Sequence, residues 1–565
     1  MTHYLFALTR LRHALPIIAA LLLAACGGGG GGGSTPPPPD PPAPPTASEL
    51  KEASRFAAQA TFGMSFDEID ALAWSGKENW IGSQFVTPIS NHRPVVADLV
   101  QRREAGEFEE YEEDIEYLIL FRRLAWWHRT VTARDALRQR VAFALSEIFV
   151  VSDNVDQLII NPFALSDYYD TLLAHAFGNY RELLREVTLH PAMGIYLSHV
   201  NNRRSDPINN IFPDENYARE VMQLFSIGLF ELNIDGSPRL DDDGDPIPTY
   251  TNVDIREFAK IFTGLSFGGE DAFFGNPFPS FLSPMRMFDA QHEPGQKTLL
   301  NGTVVPAGQT GLQDIEAAID NLFNHPNVGP FIGKQLIQRL VTSNPSPAYV
   351  ERVARAFNGD NTGVRGDMRA VIRAVLLDPE AAAATTTVSE FGKLREPVVR
   401  YAAILRQFGA NSSDGFIANT GYFLQELAKQ HPLSAPSVFN FFLPAHSPAG
   451  EIANAELVAP EFQITTSNSI VGLSNLIDFI VLADYVTDSP EPFATVSLDF
   501  SDYEALAGDI AALVDRLDIV LTSGTLDPAT RQAIEATLVD IEDLAIRARI
   551  AIYMFLISSD YAVRQ

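Results

Sequence analysis

Beyond residue 48, apolar side chains recur every three or four residues through most of the 565-residue chain. The segment 112–130 is typical, because Leu118, Phe121 and Leu124 fall on one face of a helix with 3.6 residues per turn. Alternation with period two, which predicts strands, is rare, and its best instance is the Asp-Gly-punctuated segment Leu232 to Tyr250. The sequence therefore predicts a mainly α fold, a large helical bundle-like domain with one or two small β-hairpins.

The first 25 residues have the parts of a secretion signal. Arg10 and Arg12 supply positive charge, and the apolar run that follows is too short to span a bilayer as a mature helix. This run ends in Leu23-Ala24-Ala25-Cys26, which resembles a bacterial lipobox, and Cys26 is the one cysteine in the chain. We predict a lipoprotein signal peptide over 1–25 and lipidation, palmitate included, at Cys26. The alternative is an ordinary signal peptide that ends near a stray cysteine.

Residues 26–47 have the composition of a tether. Seven glycines from Gly27 to Gly33 predict a flexible coil, and the Pro-rich stretch up to Pro45 predicts an extended spacer. Because Gly27 rather than aspartate follows the cysteine, the predicted location is the outer membrane of a cell envelope. The remainder, 48–565, is predicted to be a single large helical domain, within which 454–565 is a candidate helical subdomain.

The charge balance and the cysteine count exclude several function classes. The chain has 41 basic and 71 acidic residues, a net charge of −30. A nucleic-acid binder is therefore not expected, because no basic surplus is present to replace phosphate counterions. A single cysteine cannot form a disulfide framework or a thiolate zinc site. The sequence indicates no particular cofactor.

One predicted helix, from Pro213 to Gly228, has an unusually polar face. Asn216, Glu220 and Gln223 align along it, and Glu215 and Arg219 are spaced for an i, i+4 ion pair. One interpretation is a ligand-lining wall, with Glu215 and Glu220 as candidate catalytic residues and Asn216, Arg219 and Gln223 as candidate substrate-binding residues. The other is a set of structural bridges between neighbouring helices.

A second polar group lies in the turn-rich segment 292–297. His292 is a candidate catalytic residue and Lys297 a candidate substrate-binding residue, since loops carry functional groups disproportionately. The alternative is an exposed loop of mixed charge.

The segment that begins at Glu231 is similar to a calcium-binding loop. The candidate calcium ligands are four carboxylates, at Asp235, Asp241, Asp243 and Asp245. No bidentate glutamate closes such a site, so a solvated acidic hairpin is the alternative interpretation.

Several blocks of sequence, taken in order, resemble a known family. The blocks are Arg138 to Glu147, Phe177 to Arg181, His190 to Met193, Glu215 to Glu220 with Leu224 to Gly228, Phe262 to Gly264, His292 with Lys297, Lys393 to Pro397, and Pro436 to Phe442. They are similar to the bacterial domain-of-unknown-function 1800 family over nearly the whole chain from Glu49. The resemblance implies an exported, mainly helical protein, often encoded beside another uncharacterised exported family, which is a candidate partner. It implies no established activity, cofactor or catalytic residue.

Two functions remain open from the sequence. The first is a lipid-anchored binding or assembly module that presents a helical scaffold to a partner protein or polymer. The second is an envelope enzyme that uses a Glu/His/Arg/Lys cleft, by acid–base or metal-assisted chemistry, on an anionic substrate. The enzyme requires Glu220, His292 and Lys297 to converge on one accessible cleft.

Overall fold

The computed structural model describes residues 43–108, 116–277, 280–360, 362–382 and 391–564. The predicted signal peptide, the lipidation site Cys26 and most of the predicted tether lie outside these ranges. From Pro45 onwards the described residues form one compact unit.

Helices account for most of the described residues, as predicted. In the first half of the chain they are α1 (Ala47–Ala60), α2 (Phe66–Ser75), α3 (Lys77–Val86), α4 (Arg93–Glu104), α5 (Glu116–Thr132), α6 (Ala136–Ser146), α7 (Asp156–Ile159), α8 (Ala164–His175), α9 (Tyr180–Leu189), α10 (Pro191–Tyr196), α11 (Asn216–Gln223) and α12 (Asn252–Ile261). In the second half they are α13 (Gly311–Phe323), α14 (Val328–Leu340), α15 (Pro347–Asn358), α16 (Met368–Leu376), α17 (Pro379–Ala382), α18 (Pro397–Gln407), α19 (Tyr422–Ala428), α20 (Glu451–Asn454), α21 (Ser467–Val481), α22 (Ser501–Leu506), α23 (Ile510–Leu517), α24 (Pro528–Val539), α25 (Leu544–Ile557) and α26 (Ser559–Ala562).

Three two-stranded antiparallel sheets occur within the described ranges. They pair β1 (Leu265–Ser266) with β2 (Arg286–Met287), β3 (Lys297–Thr298) with β4 (Val304–Val305), and β5 (Lys393–Leu394) with β6 (Val563–Arg564). The mainly α prediction, with small β elements, is confirmed. The third sheet differs from a hairpin, because it joins the end of the chain to its middle.

The segment 230–250, where the sequence favours a hairpin, forms nested turns with isolated bridges instead of strands. The bridges pair Leu232 with Pro238, Leu240 with Pro246, and Phe230 with Pro248. Each pair contains a proline, which has no N–H to donate, so a continuous ladder does not develop.

Local capping signals set several helix starts. The Thr46 side chain accepts a hydrogen bond from the backbone N–H of Glu49, and the Glu49 carboxylate accepts one from the backbone N–H of Thr46, so Thr46 caps α1. Thr310 and Gln313 form the same reciprocal arrangement at α13. These caps satisfy amide groups that the first turn of a helix leaves unpaired.

A smaller apolar cluster gathers residues of α4 and α5 with Ala418 and Phe493. The main apolar core runs through the body, from Ala53 in α1 to Tyr561 in α26. The helix α6 lies at its centre, because all of its residues are buried and it packs against α1, α3, α8 and α14. In the described part of the chain, each helix is too short or too polar to cross a membrane.

Candidate functional site

The polar face predicted between Pro213 and Gly228 belongs to α11, which is shorter than expected. Its apolar residues Tyr217, Val221 and Phe225 are buried in the core. The regular helix ends at Gln223, because the Ser226 hydroxyl donates to the Val221 carbonyl and competes with the backbone for that acceptor.

Glu220 is the most enclosed member of this face. Glu220 is only 5% exposed, and its Oε2 has no hydrogen-bond partner within the described ranges. Burial raises the pKa of the Glu220 carboxyl, and the charge of Arg219 opposes this only in part. Next to it, the Tyr250 hydroxyl donates to Oε1 of Gln223 at 3.2 Å.

The other charged members of the face lie at the surface. Arg219 Nη2 lies 3.4 Å from Glu215 Oε2, and both side chains are about 40% exposed. An ion pair so open to water stabilises a fold by roughly 0–1 kcal/mol. Asn216 begins the helix, where its backbone N–H donates to Asp214 Oδ1 at 2.8 Å.

His292 and Lys297 are brought together, as the sequence suggested, but in the interior of the protein. Nε2 of His292 lies 2.9 Å from Oδ2 of Asp314 and 3.2 Å from Nζ of Lys297. The Lys297 ammonium also donates to Asp314 Oδ2 and to the Glu293 carbonyl. His292 Nδ1 faces the Thr263 carbonyl at 2.9 Å. We call His292, Lys297 and Asp314 the buried triad.

The buried triad is closed to solvent and internally neutralised. The three residues are 2%, 1% and 1% exposed, so the predicted exposed loop is not formed and a substrate has no access to these groups. Burial by itself would raise the pKa of Asp314, but hydrogen bonds from Lys297, Gln309 and His292 outweigh it and hold that pKa below its usual range. The triad therefore acts as a paired internal charge that joins the 292–297 segment to α13.

Sequence reasoning missed Asp314, although a signal for it exists. Asp314, Ala318 and Leu322 are spaced by four residues, which places a carboxylate on the apolar face of α13. An acidic residue on a core face requires a buried cation, and Lys297 is that cation.

Glu220 does not join the buried triad through any described hydrogen bond or ion pair. Its helix, α11, packs against α12, and α12 in turn packs against β3 and α13, which carry Lys297 and Asp314. Of the three residues that the enzyme hypothesis needs in one cleft, only His292 and Lys297 come together, and their side-chain nitrogens contact Asp314.

The four aspartates proposed as calcium ligands make turn-forming contacts. Oδ1 of Asp241 accepts the backbone N–H groups of Asp243 and Asp245 at 3.0 and 2.9 Å, and Oδ1 of Asp235 accepts that of Ser237 at 2.9 Å. Across the described ranges, no three His, Cys, Asp or Glu side chains are arranged to hold a metal ion. The calcium site stays a prediction.

A larger polar cluster that sequence reasoning missed lies in the core beside α6. Its acids are Glu147, Glu396 and Glu461, which are 4%, 0% and 1% exposed. Lys393 pairs with Glu461 and lies 3.9 Å from Glu396, and Arg339 Nη1 lies 3.4 Å from Glu147 Oε2. We call these five residues the carboxylate network.

The acids of the carboxylate network have unequal proton affinities. Burial, followed by the charge of Glu396, raises the pKa of Glu147 to about 8. Burial also acts on Glu396, but Lys393 and Arg140 outweigh it and lower that pKa. Of these two buried carboxyls, Glu147 is therefore the one that keeps its proton to higher pH.

The carboxylate network draws on three of the sequence blocks that carry the family resemblance. Glu147 ends the block 138–147, Lys393 and Glu396 belong to 393–397, and Asn440 of 436–442 donates to Glu147 Oε1 at 3.2 Å. A Gln430 amide completes the set by donating to Glu396 Oε2 at 2.7 Å. These contacts bring the end of α6, the start of α18 and the segment 436–442 together in one buried cluster.

Comparison with known proteins agrees with the resemblance. The family model described as "Protein of unknown function (DUF1800)" matches residues 55–563, which is most of the chain. Searches of curated proteins and of solved structures find no match. The match takes in the buried triad, the carboxylate network and every helix from α2 to α25. The chain therefore belongs to the DUF1800 family.

Proposed function

We propose that this protein is a lipid-anchored binding or assembly module of a bacterial cell envelope, which presents its helical body to a partner protein. The anchor is Cys26, at the end of the lipobox-like sequence, and residues 26–47 are the spacer. The observation that carries the binding role is an exposed apolar surface on α19 and α21. The enzyme alternative has less support, because His292 and Lys297 are enclosed with internal partners.

The exposed apolar surface has a regular outer stripe on α21. Val471, Phe479 and Leu482 are 59%, 47% and 39% exposed, and their spacing places them along one side of the helix. Phe423 of α19 extends the surface, since its ring contacts that of Tyr485 with centroids 5.7 Å apart. We call these five residues the α21 face.

Large apolar side chains are concentrated in this part of the molecule. Of the 29 exposed large hydrophobic residues in the described ranges, ten lie between residues 422 and 485. Contiguous exposed apolar surface is uncommon on soluble proteins and is typical of interaction sites. The α21 face is therefore the surface proposed to bind the partner.

The charges around the α21 face favour a protein over an anionic lipid surface as the partner. Between residues 422 and 485 the chain has one lysine, no arginine and six acidic residues, of which Glu461 is buried against Lys393 and Asp484 pairs with Arg549 of α25. Helices that lie on anionic membranes carry several lysines and arginines beside their apolar face. This segment supplies a single lysine, so an apolar protein surface fits the α21 face better than an anionic membrane does.

The test uses the full-length anchored protein in its own envelope, with a photo-crosslinking residue placed at Asn475 within the α21 stripe. We expect a discrete crosslinked species in the wild type and its loss in Val471→Glu and Phe479→Glu, because a buried charge is costly in an apolar interface. The control is Val539→Glu on α24, a residue 66% exposed and outside the face. A crosslinked species that persists in both α21 variants, or is lost equally in the control, contradicts the proposed binding surface.

A further inference from the structure

An open groove lies between α15 and α16 and has a volume of about 620 Å³. Four arginines line it: Arg352 and Arg355 from α15, and Arg369 and Arg373 from α16. Three aspartates, Asp360, Asp367 and Asp378, line the same groove, so the charge available to a ligand depends on which of the four arginines already has a carboxylate partner.

The two α15 arginines have carboxylate partners. Arg352 contacts both oxygens of Asp378, at 2.7 and 2.8 Å, and Arg355 pairs with Glu351 at 2.7 Å and with Asp360 at 3.4 Å. These acids are therefore already neutralised.

The two α16 arginines have no ion pair with any residue the structure describes. Asp367, the nearest acid in sequence, uses Oδ1 to accept the backbone N–H groups of Arg369 and Ala370, so it caps α16. Arg369 and Arg373 are also four residues apart on one helix, where like charges repel each other. Asp367 also lines the groove, and Arg369 and Arg373 are the two groove cations without a carboxylate partner among the described residues.

The side chains of Arg369 and Arg373 both contact the ring of Phe85, which has no charge to neutralise them. The guanidinium carbons of Arg369 and Arg373 lie 5.7 and 5.2 Å from the centre of this one ring. A cation–π contact uses the flat face of a guanidinium, whereas its N–H donors point outward in the plane. Within the described ranges neither guanidinium donates a side-chain hydrogen bond to another residue, so the N–H donors of this pair are available to an oxyanion.

We infer that the α15–α16 groove binds a phosphomonoester, with Arg369 and Arg373 holding the phosphate. A phosphomonoester carries about −1.5 to −2 charges at neutral pH, which two free guanidiniums match and a single carboxylate does not. The groove is larger than a bare phosphate, and Ala370, Ala374 and Leu377 provide apolar lining for an organic body. The ester is a soluble molecule or a lipid headgroup, and these two sources share the same recognised chemistry.

The test is calorimetric titration of the full-length protein with phenyl phosphate, orthophosphate and acetate at pH 7.5 and low ionic strength. We expect saturable binding that is tightest for phenyl phosphate, whose ring contacts the apolar lining, and weakest for acetate. In the double variant Arg369→Gln/Arg373→Gln the affinity should fall by at least about tenfold, because two charge-assisted contacts are lost. The matched control is Arg531→Gln, whose guanidinium is paired with Asp515 and Glu535 on other faces of the molecule.

Each outcome decides the inference. Absence of saturable binding by either phosphate, equal affinity in the double variant, or an equal loss in Arg531→Gln overturns it. Co-sedimentation of the wild type, but not the double variant, with vesicles containing phosphatidic acid assigns the groove to a lipid headgroup. Binding of phenyl phosphate without co-sedimentation assigns it to a soluble ester. Because the groove and the α21 face use different residues, loss of phosphate binding leaves the partner-binding proposal untouched.

Discussion

Nε2 of His292 lies 2.9 Å from Oδ2 of Asp314, and the same carboxylate oxygen accepts the buried ammonium of Lys297. One acid therefore pairs with a lysine and contacts an imidazole, and all three side chains are buried. Removing that acid leaves the lysine charge in the core without a counter-ion, and the fold must then hold a cation in an apolar medium.

We predict that Asp314→Asn lowers the free energy of unfolding by about 3–5 kcal/mol, because it breaks a buried ion pair from one side. The measurement is urea denaturation followed by circular dichroism. Asp320→Asn is the control on the same helix, since Asp320 is 52% exposed and its pair with Arg181 is a surface pair, with an expected cost below about 1 kcal/mol. Equal losses in the two variants would contradict a role for burial.

The raised pKa of Glu147 predicts a pH dependence of stability. The folded pKa, about 8, is above the usual value of 4.5, so the stabilising contribution is complete below pH 4.5 and is lost as the pH rises through 8. In Glu147→Gln the side chain stays neutral at every pH. We therefore expect the variant to gain stability relative to the wild type between pH 5.5 and pH 8.5.

Chemical denaturation at several pH values measures this difference. Glu182→Gln is the control, because Glu182 is 49% exposed in a surface pair with Arg181. A stability difference for Glu147→Gln that is constant across this pH range would show that Glu147 is ionised in the folded protein.

Close packing around Gly421 predicts a large cost for a single methyl group. A Cβ at this position would lie 2.6 Å from His431 Nε2 and 2.7 Å from Trp127 Nε1, two atoms that form a hydrogen bond of 3.2 Å. Gly421→Ala should therefore lower the melting temperature through both backbone strain and overpacking, which costs about 1–3 kcal/mol. Gly415→Ala isolates the strain, since Gly415 has φ +75°, similar to +69° at Gly421, and open space around it. Equal melting temperatures for Gly421→Ala and Gly415→Ala would show that the steric clash at residue 421 does not affect stability.

The lipidation prediction has its own test in cells. Cys26→Ser should move the protein from the membrane fraction to the soluble fraction and remove the acyl mass from the mature N-terminal peptide. Gly27→Asp tests the sorting signal, because the wild type is expected in the outer membrane and this variant in the inner membrane. An unmodified Cys26 peptide from wild-type cells would refute the anchor.

The sequence was a good guide wherever a structure depends on near neighbours. The start of α13, Gly311–Phe323, is set by the Thr310–Gln313 cap, which is visible in the sequence. The break between α8 and α9 has a different origin. The break is stabilised by Asn179, whose side chain donates to the Arg365 carbonyl at 2.8 Å, a contact that local spacing does not reveal.

The polar residues show the same contrast between what local spacing predicts and what distant contacts decide. Spacing alone placed Tyr217 and Val221 on a core face and marked Glu220, His292 and Lys297 as unusual. Whether such a side chain faces solvent or the interior depends on the tertiary structure. His292 and Lys297 are enclosed with Asp314. Glu147 is enclosed with Glu396 and Asn440.

What the sequence by itself determined is the helical class, many helix boundaries and the family, since these follow from apolar periodicity, capping residues and ordered sequence blocks. Only the tertiary structure decided that the predicted His–Lys pair is enclosed, that three distant glutamates share one core, and that two arginines remain unpaired in an open groove. The physical reason is that hydrogen bonds within a helix link residues four apart, whereas burial and charge pairing depend on which distant segments pack together.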